Sequence, residues 1–295
     1  MVEGRRRGWA LAAFGMLMVS TDSFFIRQAD FDSWTIAFVF GVASTVVLSL
    51  VYAFTAPESA VSAFRRAPRP LLTVAALASV SQICFTAAVN NTSVANVVVI
   101  VASTPIFAAV LAWLLLRERT DRRVAVAIGV TVVGILVVVS GSFGAPTLDG
   151  DLLALLAIIS FATSVVVWRR HPELSRPLAL AASSATMALI TAPLASIGDA
   201  PARVFVAAGL MGLVFNPIGR VAYTTATRFA PAAEVALFGP VETVAATTWA
   251  WIFFSERPSA RTVIGGVIVI GAVLYGTVGR GATREAAATS DPATT

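Results

Sequence analysis

Residues 112–141, AWLLLRERTDRRVAVAIGVTVVGILVVVSG, and residues 250–279, AWIFFSERPSARTVIGGVIVIGAVLYGTVG, are two versions of one pattern. Each runs from a Trp to Glu-Arg, reaches a second Arg four residues later, and enters a glycine-containing apolar run. At a constant offset of 138 the pairs Trp113/Trp251, Glu118/Glu256, Arg119/Arg257, Arg123/Arg261 and Gly141/Gly279 coincide. The match extends back through Ala112/Ala250, Ala108/Ala246, Val97/Val235 and Ala95/Ala233. At an offset of 142 the openings of the units also agree, at Gly8/Gly150, Leu11/Leu153, Ala12/Ala154 and Arg27/Arg169. Ala and Val matches are common by chance, so the spaced Trp, Glu and Arg residues carry the inference of a duplicated unit.

Working outward from these stretches, each unit holds five apolar runs of about 20 residues, the length that crosses a bilayer. The predicted spans are 8–27, 33–54, 71–90, 93–116, 123–141, 149–168, 177–197, 204–224, 231–254 and 260–279. The runs are continuous rather than alternating, which favours helices over a β-barrel. Five is odd, so the second unit enters the membrane from the opposite side. The expected architecture is an all-α membrane protein of ten helices in two inverted five-helix repeats, a plan used by secondary transporters. The first repeat covers 8–141 and the second 149–279, with a cytoplasmic N-terminus over 1–7 and a disordered cytoplasmic tail over 280–295.

Charge orients the spans. The chain has no lysine, and 17 of its 21 arginines fall toward one side of this arrangement. Only Arg27, Arg203, Arg257 and Arg261 fall on the other. By the positive-inside rule both termini are cytoplasmic. The implied location is a bacterial cytoplasmic membrane, crossed many times. Arg5–Arg7 and the apolar run from Trp9 resemble a secretory signal, but no small-residue cleavage site follows, so this segment is read as a retained first span.

Composition excludes several classes. At 57% hydrophobic residues, with short connections, the chain leaves no room for a soluble catalytic domain. The net charge of +5 sits beside helix ends, where anionic lipid headgroups are the natural partner, not nucleic acid. One Cys and one His give no metal ligand set and no disulfide framework. The motif G-x-x-x-x-G-K-[ST] requires a lysine, so this chain alone does not pump with ATP. No cofactor is expected.

The two quoted stretches resemble the endings of the two EamA domains in the drug/metabolite transporter superfamily, and the resemblance covers roughly residues 8–279. It implies an inner-membrane permease or exporter of amino acids, other metabolites or drugs. The first unit has Pro105 in STPIF, whereas the second has Thr243 at the equivalent position and Pro240 one turn earlier.

A charge near the bilayer centre costs about 2.5–3.5 kcal/mol to insert, so polar residues inside spans are functional candidates. Glu242, mate of Thr104, lies in the ninth span beside Pro240. It is read either as a proton- or cation-binding carboxyl or as a buried helix tie. Glu234 is the mate of Asn96, and Arg220 the mate of Gln82. A Glu234–Arg220 pair would be a cytoplasmic gate or a structural ion pair, while Asn96 and Gln82 would continue a cavity wall. Asp22 would line an outer vestibule or pair locally with Arg27. Trp249, seven residues beyond Glu242, shares its face and either flanks the site or packs.

Trp113 and Trp251 read as interfacial anchors. Glu118 and Glu256, each followed by Arg, read as charged turns that set helix ends. Gly129, Gly134, Gly265, Gly266 and Gly271 would let the fifth and tenth helices approach closely.

Substrate contacts are thus expected from Glu242, Thr104, Asn96, Gln82 and Trp249, and gating or proton coupling from Glu242, Glu234, Arg220 and Asp22. The expected function is alternating-access export of a small metabolite or amino-acid-like solute by a monomer or homodimer. A membrane receptor or scaffold, or a membrane-embedded lipid-modifying enzyme, is the alternative. The sequence offers no cluster for the enzyme, and a receptor has no need of midplane polar residues.

Overall fold

The computed structural model describes residues 2–56, 58–116, 122–141, 147–171, 174–226, 229 and 238–289. Every regular element among them is helical. Six helices are long and apolar enough to cross a bilayer: Arg6–Ala29, Ser33–Thr55, Pro68–Asn91, Leu148–Val167, Arg176–Leu194 and Ala202–Tyr223. Shorter apolar helices run over Val94–Ala108, Ala125–Ser140 and Ala260–Tyr275. The exposure pattern fits a lipid surround. Leu189 is 76% and Val267 69% exposed, while Asp151, Ser103 and Thr131 are fully buried. The chain is a multi-pass helical membrane protein, though its crossings are less uniform than ten equal apolar runs.

Local chemistry explains the interruptions. Helices α1 (Val2–Val19) and α2 (Thr21–Ala29) form one crossing with a break at Ser20. There the Ser20 and Thr21 hydroxyls donate back to the Leu17 and Met18 carbonyls, both at 2.7 Å, a bond that bends helices. A left-handed Asp30, at φ 44°, ends α2. Asp32 then caps α3 (Ser33–Thr55) by accepting the Thr35 amide.

After the short α4 (Ala60–Arg66), α5 (Pro68–Asn91) starts on a proline, where no amide donor is missed. Ser93 caps α6 (Val94–Ala102), and the helix stops at Ser103. The next helix, α7 (Thr104–Leu116), restarts with Pro105 as its second residue.

The first half closes with α8 (Arg122–Ser140), and the second opens with α9 (Leu148–Arg170) and α10 (Arg176–Thr191). Between α11 (Ala202–Leu210) and α12 (Asn216–Ala226) lies a π-helical turn, Met211–Phe215. Pro217 cannot donate to the Leu213 carbonyl, and the ladder widens in the turn before it. Helix α13 (Gly239–Phe254) begins with Pro240 in its first turn, so this proline starts the described helix and does not kink its middle. The last helix, α14 (Ala260–Thr289), continues past Arg280, where the sequence predicted an unpatterned tail.

Packing pairs helices of one half with helices of the other. The main neighbours are α1 with α12, α5 with α9, α3 with α10, α8 with α14 and α6 with α13. Two groups emerge. In one, α1 and α2 pack with α12 and α13; in the other, α9 packs with α5, α6 and α7. Under the sequence offsets each group is the repeat image of the other.

Glycines set two of the crossings. A Cβ on Gly15 would lie 2.7 Å from the Gly219 carbonyl, so α1 and α12 touch at the backbone. Gly134 and Gly265 do the same for α8 and α14, while Gly266 faces Val99 on α6. Gly129 and Gly271 face open space and have no part in the close approach expected of them.

Candidate functional site

Where α2, α5, α12 and α13 meet, four of the expected residues come together. On α2, Asp22 is 3% exposed and accepts from Asn216 Nδ2 at 2.5 Å. Arg220, one turn along α12, donates from Nε to Asn216 Oδ1 at 3.0 Å. Its Nη2 points to Gln82 Oε1 on α5 at 3.5 Å. The Arg220 charge acts on both the Asp22 and Glu242 carboxyls, and Glu242 in turn acts on Asp22 and Tyr223.

Glu242 lies in the first turn of α13, where the helix dipole favours a carboxylate. The second Asp22 oxygen, Oδ1, is buried with no hydrogen-bond donor among the described residues. Two carboxyls therefore share one guanidinium in a site mostly closed to solvent. Chemically, such a site can take a proton or a cationic group at its carboxyls and an anionic group at its guanidinium.

Of the two readings of Asp22, the local pair with Arg27 is not formed. Asp22 turns to Asn216, and Arg27 turns to Glu256 at 3.6 Å and to the Thr92 carbonyl. Glu234 and Glu118 lie outside the described residues.

Asn96 stands in a second polar network, at the opposite end of α6 from Thr104. Its Nδ2 donates to both Asp151 oxygens at 3.2 and 3.3 Å, and its Oδ1 accepts from Thr262 at 2.6 Å. Thr92 Oγ1 also donates to Asp151, at 2.8 Å. Glu256 accepts the Val94 amide at 2.6 Å, at the start of α6 and not at an end of its own helix.

Thr104 and Trp249 make their hydrogen bonds outside the cluster. The Thr104 hydroxyl donates to the Val101 carbonyl at 2.6 Å, the carbonyl that Pro105 leaves without its helical donor. Thr243, the repeat mate of Pro105, donates to the Val98 carbonyl at 3.3 Å and so ties α13 to α6. Trp249 Nε1 donates to Ser20 Oγ at 3.0 Å, bracing the α1–α2 break two residues before Asp22.

Two residues escaped the sequence reading, Asn216 and Asp151. The first had a signal: a polar residue beside Pro217, one turn before Arg220. Asp151, in the first turn of an apolar span, looked like an ordinary helix-start acid.

A polar cleft of about 310 Å³ opens beside Arg27 and is lined by Asp30, Phe31, Asp32, Ser33, Asn90 and Asn91. Among the described residues no three His, Cys, Asp or Glu side chains gather as a metal ligand set.

Comparison with known proteins adds the following. A family model described as the EamA-like transporter family matches the chain twice, over residues 6–140 and 148–277. No curated protein matches. In all, 17 solved chains match. One, described only as a crystal structure of a protein, aligns with a TM-score of 0.63 at 14% identity. That alignment covers 92% of this chain and 98% of the other, a likeness of fold alone.

Proposed function

Because the chain belongs to the EamA-like transporter family, we propose that it is a secondary transporter exporting a small metabolite or amino-acid-like solute by alternating access. The proposal includes ten crossings arranged as two inverted repeats in a bacterial cytoplasmic membrane, with both termini cytoplasmic. One observation carries the choice of site: Arg220 and Gln82, equivalent residues of the two repeats, meet beside Asp22 and Glu242. Solute binds at this cluster, held by the carboxyls and by Arg220. A proton moving in exchange rides on Asp22 or Glu242.

The test compares metabolites in the medium of cells expressing wild type or Glu242→Gln at equal membrane levels, at two external pH values. The expected result is a compound enriched outside with wild type only. Equal enrichment with both proteins at both pH values removes Glu242 from the mechanism.

A further inference from the structure

Each of the two helix groups carries one half of an interlock at the Arg27 end. From the first group, Arg27 on α2 and Glu256, just after α13, form an ion pair at 3.6 Å. From the second group, the turn between α5 and α6 presents its backbone. Arg27 Nη2 donates to the Thr92 carbonyl on one side of Ser93, and Glu256 Oε1 accepts the Val94 amide on the other, at 2.6 Å. The pair therefore grips the turn from both sides.

Asp151 stiffens the gripped turn from within its own group, by accepting from Thr92 and Asn96. These groups are buried: Thr92 is 3%, Asn96 7% and Asp151 0% exposed. The repeat keeps the same residue types at the mate positions of the pair, Arg169 and Glu118.

We propose that the Arg27–Glu256 pair is the gate at this end of the transporter, closed in this structure by its hold on the Thr92–Val94 turn. This rests on the transport reading, in which the two groups must part at one end. Charge-assisted bonds to backbone suit that task. Both partners are hydrated when the end opens, and Arg27 already borders the polar cleft. An apolar seal would expose its surface to water on each cycle.

The test needs no substrate. In a Cys84→Ser background, Ser23→Cys places a thiol one turn deeper than Arg27. Its reaction with a membrane-impermeant cationic methanethiosulfonate, added outside right-side-out vesicles, reports opening. The parent should react slowly, and Glu256→Gln and Arg27→Gln at least tenfold faster.

Val94→Pro is the sharper variant. It deletes the amide that Glu256 accepts and exchanges the buried Val94 side chain for a ring of similar size, at a first helical position where proline is tolerated and after a Ser93 already in the extended conformation proline requires. It should also react at least tenfold faster, in protein that elutes as a single folded peak. Fast reaction of the parent overturns the proposal, as do rates in all three variants within twofold of the parent. Faster reaction with no solute exported by any form upholds the gate and counts instead against the transport reading.

Discussion

Arg220 and Gln82 are 138 residues apart, occupy the same place in their respective repeats, and touch at 3.5 Å. Two residues exchanged by a two-fold operation meet only where both lie at its axis. Under the inverted repeat that we propose, their contact puts the cluster of Asp22, Asn216, Arg220 and Glu242 on the line about which the halves exchange conformations. The cluster is not itself symmetric. One repeat supplies the guanidinium where the other supplies a carboxamide, so a single charge serves both arrangements without facing its own copy.

Arg220→Gln should abolish efflux and destabilise the protein. It leaves two acids sharing a buried site, and removing one partner of a buried charge set costs about 3–5 kcal/mol. Arg220→Lys should retain part of the stability but lose the fork that reaches Asn216 and Gln82, with efflux down at least tenfold. Thermal unfolding in detergent together with efflux checks both.

Asn216→Ala removes the donor to Asp22 while keeping every charge. In a membrane interior such a bond contributes about 1 kcal/mol, so a fall of a few degrees in the unfolding midpoint is expected. The effect should shrink in an Asp22→Ala, Asn216→Ala double mutant compared with Asp22→Ala alone, leaving the part that belongs to the bond Asn216 also accepts from Arg220 Nε. An additive result would mean that the two side chains act independently.

Gly219→Val should prevent assembly, because a Cβ there would lie 2.9 Å from the Gly15 carbonyl and from Met18 Cβ. Gly129→Ala should leave expression and melting unchanged, since its Cβ meets nothing within 4 Å. Yields of monodisperse protein for the two variants separate backbone contact from mere glycine content.

Topology has its own check. With Cys84→Ser as background, Asn91→Cys should react with an impermeant thiol reagent on intact spheroplasts. Arg65→Cys should react only after permeabilisation. Both positions are exposed, so the contrast reads sidedness alone. Reaction of both on intact cells would refute the proposed orientation.

The polar residues divide by how far their partners lie along the chain. Glu242 was conspicuous in the sequence because an acid in an apolar run is costly wherever it ends up. Its helix-start position was not, because that depends on where α13 begins. Asn96 and Gln82 looked equivalent as polar mates of Glu234 and Arg220, yet Asn96 is committed to Asp151 and Thr262 while Gln82 joins Arg220. The π-helical turn before Asn216 explains part of the difficulty. A widened turn rotates everything after it by about one residue, roughly 100°, so faces extrapolated along the eighth span at 3.6 residues per turn are misassigned.

Membrane class, duplication and family were legible in the order of residues. These rest on apolar run length and on residues repeated at a fixed spacing, both properties of the chain read in order. Helix packing was needed to see that Asp22 turns to Asn216 and not to Arg27, that Arg220 meets Gln82, and that Arg27 and Glu256 grip the Thr92–Val94 turn. Those contacts join residues up to 229 positions apart (Arg27 to Glu256). They are set by helix breaks, by a π turn and by glycine contacts that fix how closely and at what rotation the helices pack.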